Sequence, residues 1–198
     1  LDGTLDMRMS LKGPTAEEFL DKVQEGTLAD IIYELGEEAF SKRIAKKIVY
    51  QRSIKKIKTT GQLAKIVRDA IPKKKSKIDL ATKTFQAIRM YLNDEIKELE
   101  KGLIAAEKIL RPEGRLVVVS FHSIEDRIVK NFFKKCFQKK SLSRHLPELP
   151  KKNPSLEILT RKPILPSAKE INFNKRSRSA KLRIAKRTHF SSTFGEIA

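Results

Sequence analysis

The stretch Ser120 to Lys130 reads S-F-H-S-I-E-D-R-I-V-K and gathers an imidazole (His122), a hydroxyl (Ser123), two carboxylates (Glu125, Asp126) and a guanidinium (Arg127). Such a set can move protons, hold a polar substrate and steer charge. Covalent catalysis by Ser123 is a poorer fit, because no His-acid relay accompanies the hydroxyl. Its place three residues before Asp126 reads instead as an S-x-x-D helix cap. The three histidines, His122, His145 and His189, are scattered with no Cys, His or carboxylate at ligand spacing, so no structural metal site is expected. Cys136 is the single cysteine; no internal disulfide can form, and a buried thiol is expected.

The elements that must position these residues are legible around them. Leu116 to Val119, after the Pro112-Glu113-Gly114 turn, is predicted to be a buried strand. Ile124, Ile128 and Phe132 then recur at helical spacing, so strand feeds helix. His122 and Ser123 fall just past the strand's carboxyl end, the edge at which open α/β sheets bind ligands. Upstream, Phe85, Ile88, Leu92, Ile96, Leu99 and Leu103 predict one long helix from about Leu80 to Leu110, with Gly102 as its weak point. Between Pro14 and Pro72 no strand is expected. Thr15-x-x-Glu18, Thr27-x-x-Asp30 and Thr59-x-x-Gln62 read as helix caps, Gly36 as a stop, and Phe40, Ile44 and Ile48 as the apolar stripe of a helix from Glu37 to about Gln51. Three or four short helices are predicted there. Prolines 147, 150, 154, 163 and 166 mark a flexible basic loop at about 139–166, with a short strand within Leu156 to Thr160. Asn172 to Arg178 reads as a basic turn. Ala180 to Lys186 alternates apolar and basic residues, as an edge strand does whose Lys and Arg face one way.

A formal charge of +19 and a pI near 10.1 point to a polyanionic partner. An anionic membrane surface is the competing explanation, but no apolar run is long enough to span a bilayer and the first residues carry no signal-peptide core. A cytoplasmic protein is expected. The candidate RNA contacts are Lys73, Lys74, Lys75 and Lys77 in a basic link, Lys175, Arg176 and Arg178 in the basic turn, and Lys181 and Arg183 in the last strand. Each is weighed against a solvated face, and the last two against edge protection.

The S-F-H-S-I-E-D-R-I-V-K stretch resembles the ribosomal RNA small subunit methyltransferase H family, also called MraW. Four further stretches resemble it in the same order: L-D-M-R-M (Leu5 to Met9), T-T-G-Q-L-A (Thr59 to Ala64), A-T-K-T-F-Q-A-I-R (Ala81 to Arg89) and R-S-A-K-L-R (Arg178 to Arg183). Thr4 and Ser10 replace the family's Pro and Asp around the first of these, and Asp79-Leu80 replaces its His-Pro before the A-T motif.

The resemblance implies an α/β fold of the class I S-adenosylmethionine (SAM)-dependent methyltransferase type, Rossmann-like, with an all-helical insertion. Its parts would be 1–11 closing the cofactor half, 12–78 as a helical insertion for RNA recognition, and 79–198 as the later half of the sheet. It implies N4-methylation of a cytosine in the decoding region of 16S rRNA, with SAM as cofactor and no metal. The partner would be 16S rRNA or the small ribosomal subunit, without a membrane and with a homodimer left open. Asp6 and Arg8 would border the acceptor pocket with His122, Ser123, Glu125, Asp126 and Arg127. His122 has two readings, a pocket residue that positions the target base or orients the motif's backbone, or a strand-end histidine held by a local hydrogen bond. The eight glycines never fall at G-x-G spacing, so no cofactor-binding residue is expected within the chain. With Leu1 as first residue, an incomplete enzyme is expected. The alternative is a basic RNA-binding module without catalysis, or a degenerate remnant.

Overall fold

The structure, a computed structural model, describes residues 2–10, 12–72, 78–137 and 153–195. It divides into two compact units, Leu1–Glu95 and Ile96–Ala198.

The first unit is helical. Its elements are α1 (Ala16–Lys22), α2 (Glu25–Gly36), α3 (Ser41–Ile54), α4 (Thr60–Ala70) and α5 (Thr82–Leu92). Thr15 with Glu18, and Thr59 with Gln62, form reciprocal capping boxes that satisfy the first free N–H groups of α1 and α4. Thr27 and Asp30 do not cap: they lie inside α2, which starts after Gln24. The apolar stripes converge on Leu5, Leu20, Leu28, Ile32, Ile44, Ile48, Leu63, Val67 and Ile88, all buried. Phe40, the first member of its predicted stripe, stands just outside α3 and is exposed.

Gly36 ends α2, and Glu37 continues in the left-handed region at φ 49°. The glycine serves a close approach as well as a stop. A Cβ at position 36 would stand 2.8 Å from the Lys83 carbonyl oxygen of α5. Through this contact α5 packs on α2, so the helical unit extends past residue 78, the boundary expected from sequence. The single long helix predicted to Leu110 is two helices, α5 and α6 (Glu95–Ile109). Asn93 makes the break: its Nδ2 donates to the carbonyls of Arg89 and Met7 at 2.7 and 2.9 Å, and Asp94 turns left-handed at φ 51°. Gly102, the predicted weak point, sits inside α6.

The second unit holds an antiparallel sheet in the order β1 (Arg115–Ser120), β3 (Lys181–Arg187), β2 (Leu156–Ile158). β3 is therefore the central strand, which corrects the expectation of an edge. Lys181, Arg183, Ala185 and Arg187 alternate onto one face, opposite Lys186, so the basic residues do not all face one way. α7 (Ser123–Phe137) covers that face, and Val129, Phe132, Phe133 and Cys136 pack there with Leu103 of α6, Leu156 and Ala185. β1 is not buried on both sides: Leu116 and Val118 face this core, while Val117 and Val119 are 52% and 48% exposed.

Residues 138–152, with much of the expected flexible loop, lie outside the described residues, as do Lys73, Lys74, Lys75 and Lys77. The later part of that loop is ordered against β3. The N–H groups of Leu159 and Thr160 both donate to the Ile184 carbonyl, and Ile164 bridges to Leu182. The basic turn is a short helix, α8 (Ala168–Phe173), followed by a 3-10 turn at Lys175–Ser179. Among the described residues no helix is long and apolar enough to cross a membrane.

Candidate functional site

β1 delivers Phe121 and His122 to the start of α7, and the local geometry explains why the sequence turns there. His122 Nδ1 accepts from the Glu125 N–H at 3.3 Å, while Glu125 Oε2 accepts from the N–H groups of Phe121 and His122 at 2.8 and 3.3 Å. This is a capping box built on His122 and Glu125. It replaces the expected Ser123–Asp126 cap, because Ser123 is already the first residue of the helix. An accepting Nδ1 places the imidazole proton on Nε2, which lies 3.1 Å from Glu125 Oε1 without the alignment of a hydrogen bond. Burial pushes the Glu125 carboxyl up, but the His122 side chain and the two N–H groups outweigh it and hold it below its usual range.

Asp126 turns inward to the sheet. Arg183 grips it with both arms, Nε to Oδ1 at 2.7 Å and Nη2 to Oδ2 at 3.1 Å, and Lys181 Nζ stands 3.6 Å from Oδ2. The Arg183 hydrogen bonds, against a smaller opposing effect of burial, depress the Asp126 carboxyl below the ordinary aspartate range. Lys181 and Arg183 were candidates for phosphate contact. Arg183 is 6% exposed and bound to Asp126, so it serves the fold instead, while the Lys181 side chain stays one-third exposed. Lys175, Arg176 and Arg178 are exposed, as a nucleic-acid contact requires. Ser123 and Arg127 are exposed on the first turns of α7, and Phe121, just before the helix, is 56% exposed.

Asp6 and Arg8 lie in the first unit and pair with each other, Nε to Oδ1 at 2.6 Å and Nη2 to Oδ2 at 2.9 Å, across a left-handed Met7 at φ 61°. The sequence stretches singled out above thus have local structural reasons. Leu5 is core; Asp2 accepts from the Thr59 and Thr60 hydroxyls and the Gly61 N–H at the start of α4; A-T-K-T-F-Q-A-I-R forms α5; and R-S-A-K-L-R leads the 3-10 turn into β3.

The β1–α7 turn does not fit a SAM cradle. β1 runs directly into α7, but the turn between them is Phe121-His122 rather than a glycine loop, and its N–H groups are taken by Glu125.

A family model, the MraW methylase family, matches residues 1–188. The chain belongs to the MraW methylase family. It is similar to the ribosomal RNA small subunit methyltransferase H of Rickettsia canadensis (strain McKiel), 55% identical over 188 residues, which are 93% of this chain and 61% of the relative. The counterpart from Rickettsia bellii (strain RML369-C) is 56% identical over 189 residues, 94% of this chain and 62% of the relative. The chain thus spans less than two thirds of the length of these relatives. Within this MraW member, α7 begins inside the stretch S-F-H-S-I-E-D-R, in which His122 and Glu125 cap the helix and Asp126 anchors it to β3.

Two measurements check this construction. His122→Ala is expected to destabilise the second unit by about 1 kcal/mol, as loss of a side-chain cap does, and His122→Asn to restore most of it; urea unfolding followed by circular dichroism reads both. Equal stability of all three proteins would show that the imidazole does not cap. Cys136 is buried and its thiol is pushed up to about 11, by burial first and by Glu107 second. Alkylation by iodoacetamide at pH 8, followed by mass spectrometry, is expected to run on the order of a hundredfold slower than for a free cysteine until urea is added.

Proposed function

We propose that this chain is part of a SAM-dependent rRNA methyltransferase that methylates the exocyclic N4 of a cytosine in the decoding region of 16S rRNA. The family match over residues 1–188 carries the reading, together with relatives whose names state a small subunit rRNA methyltransferase. Methyl transfer from SAM is a displacement at an activated methyl, so the hard chemistry is the cofactor's. The cytosine amine is a poor nucleophile, its lone pair delocalised into the ring, and the protein must draw the base from its stack, orient it and exclude water.

For this chain we assign positioning. Phe121 offers an exposed face on which an extruded base stacks, and Ser123 and Arg127 supply polar contacts. His122, Glu125 and Asp126 fix the turn that presents them. The exposed Lys175, Arg176 and Arg178 contact phosphates of the rRNA. SAM would be bound by residues beyond those described here.

A non-catalytic RNA-binding module is the second reading, favoured by the absence of G-x-G spacing and by the charge of +19. Transfer of labelled methyl from SAM to unmethylated small-subunit particles separates them. The chain joined to the unmatched part of a Rickettsia relative is expected to label the particles, and the chain alone is not. No labelling by the joined protein, with RNA binding intact, would establish the second reading.

A further inference from the structure

We propose that the second unit carries a phosphate-binding site built on Arg187, separate from the α7 turn. Arg187 ends β3 and is 8% exposed. Its Nη1 donates to the carbonyls of Ser155, Thr188 and Phe190 at 2.9, 3.2 and 2.7 Å. Its Nε is sealed from solvent with no partner, and among the described residues its Nη2 makes no hydrogen bond. No carboxylate of the described residues lies within ion-pairing distance of the guanidinium. The acids of this region are engaged elsewhere: Glu107 accepts from the Ser192 hydroxyl and the Thr193 N–H, and Glu113 faces Lys186 and His189.

A guanidinium does not lose its proton, so a buried one without a counter-ion is costly, and carbonyl dipoles offset that cost in part. Arg187 lines a cavity of about 460 Å³ whose other walls include Lys108, Thr188, His189, Ser191 and Ser192, and no carboxylate of the described residues lines it. Lys108 makes no ion pair among the described residues. Two cations, a guanidinium arm without a partner among the described residues and the Ser191 hydroxyl around one cavity match a tetrahedral oxyanion better than a planar carboxylate, and a phosphate supplies the balancing charge. The phosphate is either a diester of an RNA strand or the group of a small phosphorylated ligand.

The test is a titration of the ¹⁵N-labelled full chain with inorganic phosphate at constant ionic strength, followed by amide shifts, for the native protein, Lys108→Ala and Arg187→Lys. Lys108 lies on α6 away from β3, so its alanine variant keeps the fold if Arg187→Lys does not. Saturable shifts confined to residues 188–192, weakened about tenfold or more in Lys108→Ala, are expected from the loss of a charged phosphate contact. Absence of saturation, or equal binding by native and Lys108→Ala proteins, would overturn the site. A short single-stranded RNA that displaces phosphate from these residues identifies a diester. Phosphate binding that the RNA does not displace identifies a small ligand. Neither result depends on methyl transfer, so the site and the enzymatic reading fail separately.

Discussion

Arg183→Met is expected to destabilise the second unit by about 3–5 kcal/mol, the usual result of stranding one partner of a buried ion pair. The pair is Asp126 with Arg183, both under a tenth exposed, and Lys181 at 3.6 Å is a poor substitute for two direct bonds at 2.7 and 3.1 Å. Hydrogen exchange at the β1 and β3 amides reads the change. The double variant Asp126→Leu with Arg183→Met is expected to recover most of the loss, because it removes both charges. Acid gives an independent check. The folded Asp126 carboxyl titrates below its ordinary 3.8, so its stabilisation is complete above that pH and vanishes as pH falls through the depressed folded value. The native protein should therefore lose stability below pH 3.8 more steeply than the double variant. A single variant as stable as the native protein would refute the role assigned to the pair.

Two glycines are expected to respond to alanine with opposite signs. At Gly36 the new methyl would meet the Lys83 carbonyl at 2.8 Å, and a backbone atom cannot step aside, so Gly36→Ala should cost about 1–3 kcal/mol by overpacking α2 against α5. At Gly102 nothing lies within 4 Å, and Gly102→Ala inside α6 should gain up to about 1 kcal/mol of helix propensity. Tyr33, Tyr50 and Tyr91 all lie in the first unit and there is no tryptophan, so tyrosine fluorescence during urea unfolding follows that unit alone. Gly36→Ala should shift that transition. Gly102→Ala should leave it unmoved and protect the α6 amides from exchange instead. A Gly36→Ala transition at the native midpoint would show that α2 and α5 do not meet as described.

Local chemistry was the readable part of the sequence. Thr15 with Glu18 and Thr59 with Gln62 cap as written, because a cap needs nothing beyond four residues. The stripe Ile124, Ile128, Phe132 became a helix against a sheet. What failed depended on distant partners. Asp126 looked like a cap residue because its real partner, Arg183, is fifty-seven positions away. Arg183 looked like a phosphate contact for the same reason. The break at Asn93 was hidden since apolar periodicity runs through it, and the Met7 carbonyl that Asn93 holds lies far upstream. β3 was placed at an edge by its alternating charges, yet two of its basic residues, Arg183 and Arg187, are buried with partners of their own. At the turn before α7 the capping geometry was assigned to Ser123 and Asp126, whereas His122 and Glu125 make it. The one signal that could have found it is the carboxylate three residues after a histidine at a strand-to-helix turn.

The order of the strands also bears on how the second unit comes into being during synthesis. β1 and β2 each pair with β3 and not with each other, yet β3 is the last of the three to be translated. Until Lys181–Arg187 leave the ribosome, β1 has no pairing partner in its sheet and the Asp126 carboxylate has no Arg183. The helical unit, complete by Glu95, can fold well before that moment. The nascent chain therefore passes through a stage with one finished unit and an open strand edge whose Val117 and Val119 side chains are apolar, the interval in which chaperone holding or misassembly would act.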